Sequence, residues 1–344
     1  MATEGKSVRL RRTDPTTPGL RRIRRGRGFS YADAEGKPVD AATRERLKHL
    51  GVPPAWKDVW LSPYPNGHIQ AVGTDDAGRR QYLYHEEWVA TRSSLKHERI
   101  RALAVRLPRV RKQLASDLRR PDLDRNRVLA IDLRLLDAGL FRTGGEEYEQ
   151  EHGSHGVSTL LRDHVVVSRG DLAFRFPAKS GVLRETTVSD GLVAKAVTAL
   201  KRSRTGTDRL LCYKAPDGWH EVHAEDVNAR FKELVGEAYT VKDLRTWAAT
   251  VSAAVALAQA PDPVNKRTAD KAVREAVVLV AEHLGNTPAV ARRSYVDPTV
   301  IDQYTLGRTV QSAVQSLRSP DLTKPASRAA IEKAVLRLLR NADD

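Results

Sequence analysis

The spacing of apolar side chains divides this chain into two unlike stretches. Over residues 28–90 the pattern alternates in short runs broken by turn residues, the signature of β-strands. Asp58-Val59-Trp60-Leu61-Ser62, His68-Ile69-Gln70-Ala71-Val72-Gly73 and Arg80-Gln81-Tyr82-Leu83-Tyr84 read as three strands, with Pro65-Asn66-Gly67 as a tight turn before the second. Phe29–Val39 reads as a hairpin turning at Ala34-Glu35-Gly36, and Pro53-Pro54-Ala55-Trp56 as a rigid connector. From Glu86 onward the period becomes helical. Residues 91–121 repeat basic and apolar positions, and Asp124–Gly139 reads as an amphipathic helix carrying Val128, Leu129, Ile131, Leu133, Leu135 and Leu136. Thr159–Val167 and Leu172–Phe176 alternate around Ser168-Arg169-Gly170-Asp171, which predicts a β-hairpin. Helices are expected at about 190–202, 224–235, 241–260, 266–284 and 326–341.

The expected class is α+β. A basic flexible tail (residues 1–27) precedes a small, mostly β N-terminal domain (28–90), and a larger, mainly helical domain with a β-hairpin insertion follows (91–344).

Charge narrows the partner. The 344 residues carry a formal net charge of +15, with Arg21-Arg22-Ile23-Arg24-Arg25-Gly26-Arg27 as a basic cluster. Such an excess favours a polyanion, most simply nucleic acid, over a small ligand. Cys212 is the single cysteine, so a disulfide within the chain is excluded, as is a Cys-rich metal site, and a reducing cytoplasm is the expected compartment. The longest apolar run, Trp247–Ala260, is too short and too polar to cross a bilayer, and the N-terminus lacks the apolar core of a secretory signal. The phosphate-cradling pattern GxxxxGK[ST] is absent, so ATP use is not expected.

Candidate chemistry lies in five separated residues: Arg142 in Phe141-Arg142-Thr143-Gly144, Lys179 in Ala178-Lys179-Ser180-Gly181, Arg245 in Lys242-Asp243-Leu244-Arg245, Asn286 in Gly285-Asn286-Thr287-Pro288, and Tyr295 after Arg292-Arg293-Ser294. Singly, each has a structural reading. Arg142 is a cation past a helix end, Lys179 a solvated turn lysine, and Tyr295 an ordinary aromatic. Asn286 is a turn residue ahead of a helix capped by Thr287 with Pro288 at its first position. Arg245 falls near the start of an apolar helix, where the dipole mildly disfavours a cation, which favours an anionic partner there more than at Arg142. Together, a tyrosine among cations is what phosphodiester transfer without a metal requires. The phenolate attacks phosphorus, and the cations hold the charge that builds on the non-bridging oxygens.

On these motifs, with Pro53-Pro54-Ala55-Trp56, Pro65-Asn66-Gly67-His68-Ile69-Gln70 and Gly78-Arg79-Arg80-Gln81-Tyr82-Leu83-Tyr84-His85, the chain resembles the type IB DNA topoisomerases of the small bacterial and poxvirus-like branch over residues 20–310. The resemblance implies that Tyr295 forms a 3′-phosphotyrosyl bond, that Lys179 is general acid to the departing 5′-oxygen, and that Arg142 and Arg245 clamp the phosphate. It implies no metal, cofactor or ATP, and a monomer closing as a clamp around duplex DNA of the cytoplasmic nucleoid. Viral and eukaryotic members usually place a histidine where this chain has Asn286, which donates a hydrogen bond but cannot protonate. Gln81, Tyr82 and Tyr84 resemble residues that meet DNA from the major-groove side, strand alternation puts the two tyrosines on one face, and Arg80 and Gln81 are expected either to read bases or to touch phosphates. Two other readings share part of the pattern. A tyrosine recombinase would share Arg, Lys, Arg and Tyr but with a helical N-terminal bundle. A non-catalytic basic DNA-binding protein would explain the charge alone.

Overall fold

The structure is a computed structural model that describes residues 9–146, 149, 151, 153–317 and 322–342. Two compact units divide at His97/Glu98.

In the first unit, strands β1 (Leu20–Arg25), β2 (Gly28–Ala32), β3 (Lys57–Leu61), β4 (Ile69–Thr74) and β5 (Arg80–Tyr84) form one antiparallel sheet in the order β2-β1-β3-β4-β5. Helix α1 (Ala41–His49) is N-capped by Asp40, whose carboxylate accepts from Thr43 N. Leu47 of α1 packs with Val59, Leu61 and Ala71, and Leu20, Tyr31, Trp56 and Leu83 close over them.

Two expectations change here. The expected turn at Ala34-Glu35-Gly36 is present, with Gly36 at φ 84°, Val39 N donating to Tyr31 O at 3.3 Å and a bridge between Ala32 and Pro38. But β2 pairs along its length with an unexpected earlier strand, β1, across a turn at Gly26-Arg27 in which Gly26 takes φ 55°. The stretch expected to be a tail is therefore in the sheet from Leu20, and residues ahead of it also bind. Arg11 N donates to Asn66 O at 2.9 Å, and Thr13 Oγ1 donates to Ile69 O at 3.1 Å. Arg22, from the basic cluster, is structural: its guanidinium donates to Val52 O, Pro53 O and Trp56 O and lies over the Phe29 ring. A run of arginines hid an alternating strand. Residues 1–8 of the expected tail lie outside the described residues. The expected boundary at residue 90 falls inside one continuous helix, α2 (Glu86–Asp117).

The second unit is mainly helical. Helix α3 (Arg125–Asp137) forms where expected but is buried on nearly every side from Val128 to Asp137, so it is a central helix and not an amphipathic one with a solvent face. A three-stranded antiparallel sheet follows: β6 (Val165–Ser168), β7 (Asp171–Pro177) and β8 (Leu183–Ser189). Leu172, Phe174 and Phe176 of β7 alternate into the core. The sequence revealed the β6–β7 turn, with Arg169 and Gly170 at φ 51° and 93°, but not β8. Strand β6 is also shorter than expected, because Val157–Thr159 and Arg162–His164 form single 3-10 turns.

Helix α4 (Gly191–Arg202), a short hairpin of β9 (Cys212–Ala215) and β10 (Gly218–Glu221), and α5 (Ala224–Val235) lead to α6 (Val241–Gln259). This last helix is alanine-rich and buried along most of its length, and it packs on α3. Beyond it lie α7 (Lys266–Leu284), α8 (Pro288–Ser294), α9 (Pro298–Thr305), α10 (Gln311–Gln315) and α11 (Pro325–Arg340). Helix α11 is locked to the end of α3 by buried charges. Arg111 and Arg328 both bind Asp137 and Glu332, and Arg328 Nη2 also donates to the Asp137 carbonyl at 2.5 Å. That contact fixes the chain five residues before Arg142.

Candidate active site

The C-terminal end of α7 organises the site. A helix leaves its last carbonyls without intrahelical donors and presents a partial negative charge there. Gly285, left-handed at φ 61°, ends the helix, and Asn286 N turns back to Ala281 O at 2.9 Å. Arginines take the carbonyls that remain. Arg184 donates to Glu282 O (3.3 Å) and His283 O (2.5 Å), Arg245 to Leu284 O (2.7 Å), and Arg142 to Gly285 O (3.3 Å). The segment between α3 and Arg142 is gripped by the same groups. Arg245 Nη1 donates to Gly139 O (3.1 Å) and Phe141 O (2.8 Å), and Arg184 Nη2 to Leu140 O (3.3 Å). Two runs of backbone oxygen thus gather three cations that would otherwise repel.

Arg142 is set by a close backbone crossing. Val157 N donates to Arg142 O at 2.9 Å and Ser158 N to Thr143 O at 2.8 Å. A Cβ on Gly144 would come within 2.9 Å of Gly156 Cα, so this crossing needs glycine. Arg142 Nη2 also donates to Asn286 Oδ1 at 2.5 Å, which turns the other end of the amide inward. Asn286 Nδ2 and Arg245 Nε are then buried donors with no partner among the described residues. Such groups are costly to leave unpaired unless a ligand completes them.

Tyr295 caps the end of α8, is only 7% exposed, and lies with its ring 5.7 Å from the Arg245 guanidinium carbon. Thr250 Oγ1 donates to Tyr295 O at 3.3 Å, and Arg101 holds Asp297, two residues on. Burial raises the phenol's pKa, but the charges of Arg245, Arg142 and Lys242, with a hydrogen bond to Arg142, outweigh it and leave the pKa below the usual 10.0. Burial, then repulsion from Arg142, lowers Arg245 to about 10, against the attraction of Tyr295. An anion entering here would relieve both strains.

Lys179 begins a 3-10 turn, Lys179–Gly181, between β7 and β8; it is exposed and lines the same cleft as Arg142, Arg184 and Asn286. Thus Arg142, Arg245, Asn286 and Tyr295 meet through direct contacts, while Lys179 stands on the rim. Thr287 does cap α8, accepting from Val290 N, with Pro288 at the first position. The structural reading of that turn holds alongside the amide's inward aim.

Sequence reasoning missed Arg184 and Lys242. Lys242 had a signal, since it lies three residues before Arg245 on the same helix face. Arg184 had none, because its acceptors are backbone oxygens about 40 and 100 residues away, as its bonds to Leu140 and Glu282 show.

On the first unit, Tyr82 and Tyr84 are 41% and 43% exposed on one face of β5, with ring centroids 6.0 Å apart and nearly parallel. Exposed Arg80 reaches over Tyr82 at 5.8 Å. Gln81 does not join them. It lies on the opposite face, half-buried, with its amide donating to Asp75 Oδ2 at 2.9 Å.

Among the described residues there is no group of three or more His, Cys, Asp or Glu side chains suited to a metal ion, and no helix long and apolar enough to cross a membrane.

Residues 86–317 match the family Eukaryotic DNA topoisomerase I, catalytic core, and residues 28–75 match Bacterial DNA topoisomerase IB, N-terminal domain. The DNA topoisomerase 1B of Acanthamoeba polyphaga mimivirus is 30% identical over 295 residues, 83% of this chain and 87% of its own. The DNA topoisomerase 1B of Vaccinia virus (strain Western Reserve) is 24% identical over 281 residues, 76% and 82% of the two chains. The DNA topoisomerase 1 of Rabbit fibroma virus (strain Kasza) is 24% identical over 305 residues, 81% and 90%.

Proposed function

The chain belongs to the type IB DNA topoisomerases, and from that premise we propose how its own residues cut and reseal one DNA strand. Tyr295 loses its proton and attacks a backbone phosphorus. The bond from phosphorus to the 5′-oxygen breaks as the Lys179 ammonium gives that oxygen a proton, leaving a 3′-phosphotyrosyl link and a free 5′-hydroxyl. Arg142, Arg245 and Asn286 bind the two non-bridging oxygens, where charge builds in the transition state. After the cut strand rotates, the 5′-hydroxyl attacks back and Tyr295 leaves. The phosphotyrosyl bond conserves the energy of the broken one, so neither ATP nor a metal ion is needed.

One observation carries this reading: a tyrosine of lowered pKa lies against Arg245 beside two buried donors, Arg245 Nε and Asn286 Nδ2, that await an acceptor. The partner is duplex DNA, bound by a single copy of the chain with the N-terminal unit completing a clamp. Arg80, Tyr82 and Tyr84 make its contact face, and Gln81 joins only by leaving Asp75. The recombinase alternative called for a helical N-terminal bundle; this chain has a five-stranded antiparallel sheet there.

The test is relaxation of supercoiled plasmid in EDTA without ATP, run beside Tyr295→Phe. The wild-type chain should relax the plasmid and, when stopped with denaturant, remain bound to a 3′ end. Tyr295→Phe should do neither while binding DNA nearly as well. Relaxation by Tyr295→Phe at the wild-type rate would overturn the assignment.

A further inference from the structure

We infer that Arg184 is a positioning residue for Lys179, tying the hairpin that carries the lysine to the same helix end that holds Arg142 and Arg245. The inference rests on the reading of Lys179 as general acid. Lys179 is on the rim, and its hairpin tip is open: Val182 and Leu183 are 66% and 51% exposed. An ammonium on such a tip is a poor proton donor unless the tip is held in one place. Within the hairpin the path from Arg184 to Lys179 is short and stiff. Arg184 pairs across the strands with Phe176 and Leu183 with Pro177, and Ala178 N donates to Val182 O at 2.8 Å. Phe176 is buried and stacks on Phe141, next to Arg142. Fixing the base of this hairpin therefore fixes its tip.

Arg184 fixes it from three directions. Its guanidinium donates to Glu282 O and His283 O at the end of α7 and to Leu140 O two residues before Arg142. Gly285 is the neighbour that makes room, since a Cβ there would sit 3.1 Å from Arg184 Nη1. Burial and the nearby Arg142 charge both lower the Arg184 pKa, so the cation is held at this spot against its own electrostatic preference. The helix-end carbonyls supply the compensation. Both terminal nitrogens are committed to backbone oxygen and, as in Arg245, Nε is a buried donor without a partner among the described residues. What sets Arg184 apart is its place on β8, in the hairpin that carries Lys179, so we assign it to the placement of that lysine and let the sulfur substrate decide against a phosphate role.

The experiment is single-turnover cleavage by wild type, Arg184→Ala, Lys179→Ala and the double variant. Each acts on an ordinary phosphodiester and on a substrate whose 5′-bridging oxygen is replaced by sulfur, which departs without a proton. General acids contribute about 10²–10⁴-fold, so Arg184→Ala should slow the ordinary substrate by about 10²-fold and the sulfur substrate by less than about fivefold. The double variant should be no slower than Lys179→Ala alone, because the two changes remove one function. Arg184→Lys, able to reach one carbonyl at a time, should fall between. If Lys179→Ala is not rescued by sulfur, the general-acid reading itself fails. If Lys179→Ala is rescued and Arg184→Ala is slow on both substrates, Arg184 is a phosphate clamp or a framework residue and the inference is overturned. Should Arg184→Ala not fold, Arg184→Gln, which keeps a shorter donor, is measured on the same two substrates with the same criteria.

Discussion

Each unit of the molecule sets an arginine over a tyrosine at nearly the same distance: Arg80 to Tyr82 at 5.8 Å, Arg245 to Tyr295 at 5.7 Å. The two pairs are otherwise opposites. Tyr82 is 41% exposed, next to a second exposed tyrosine, and its arginine is exposed as well. Tyr295 is 7% exposed and Arg245 4%, and the arginine is fastened by three backbone carbonyls. In water the charge of an arginine is screened and a cation–ring contact is worth about 0.5–1 kcal/mol, whereas a desolvated cation acts on its neighbour at far lower dielectric. In the buried pair the cations hold the Tyr295 pKa below the usual 10.0. On the proposed reading, the same two residue types make a DNA contact when wet and a nucleophile when dry.

Removing each arginine should separate the two uses. Arg245→Ala should slow cleavage by at least about 10³-fold, since it deletes a charged donor to the phosphate and leaves three buried carbonyls without partners. Arg80→Ala should leave the cleavage rate of bound DNA unchanged within a fewfold and lower the slope of log binding constant against log salt by about one. Single-turnover rates and a salt titration on both variants check this. Equal effects on cleavage would erase the distinction between the pairs.

The two units also differed in how far their sequences could be read. In the first, β3 and β5 were plain from alternation because each turns one face to a small core, whereas β4, buried on both faces from Ile69 to Gly73, was marked by the turn ahead of it and its short apolar run. Strand β1 was hidden because five of the residues from Arg21 to Arg27 are arginine, and an arginine on a half-exposed strand looks like one on a tail. In the second unit the long helices came through, but the short helices α9 and α10 and the burial of α3 on nearly every side did not. Leucines on every face read as a wide stripe until the neighbouring helices are known. The order Arg142, Lys179, Arg245, Asn286, Tyr295 was legible as a set. What assembles four of them was not, because the acceptors are main-chain carbonyls at 139–141 and 284–285, which no side-chain pattern marks. The end of a helix is visible in sequence, here at Gly285-Asn286; which distant arginines will cap it is a property of the fold.

A smaller effect is expected at Asn286, the neutral member of the buried group. Its Oδ1 is held by Arg142, so Nδ2 is the end left for a phosphate oxygen. Asn286→Ala should slow cleavage by about 10²-fold, the range for losing one well-placed donor of about 2.7–4 kcal/mol. Asn286→His keeps a donor and should retain most of the rate. If alanine lowers only the melting temperature and leaves cleavage intact, the residue belongs to the turn and not to the chemistry.

The mildest probe is Lys242, an intermediate case: an exposed cation acting on a buried tyrosine. It follows Arg245 and Arg142 among the charges that lower the Tyr295 pKa. The phenolate is the attacking form, so cleavage by the wild type should rise with pH and level off below the ordinary tyrosine value of 10.0. Lys242→Ala removes one charge that favours phenolate, which moves the inflection upward. Below the inflection the variant has less phenolate and should cleave more slowly, by a modest factor because the exposed charge is partly screened. Above both inflections the phenol is ionised in either protein and the rates should converge. Added salt should shrink the gap by screening the lysine. A lysine that instead binds the phosphate directly would slow cleavage by the same factor at every pH. The shape of the rate ratio against pH, not its size, therefore decides whether an exposed cation can tune the buried tyrosine from a distance.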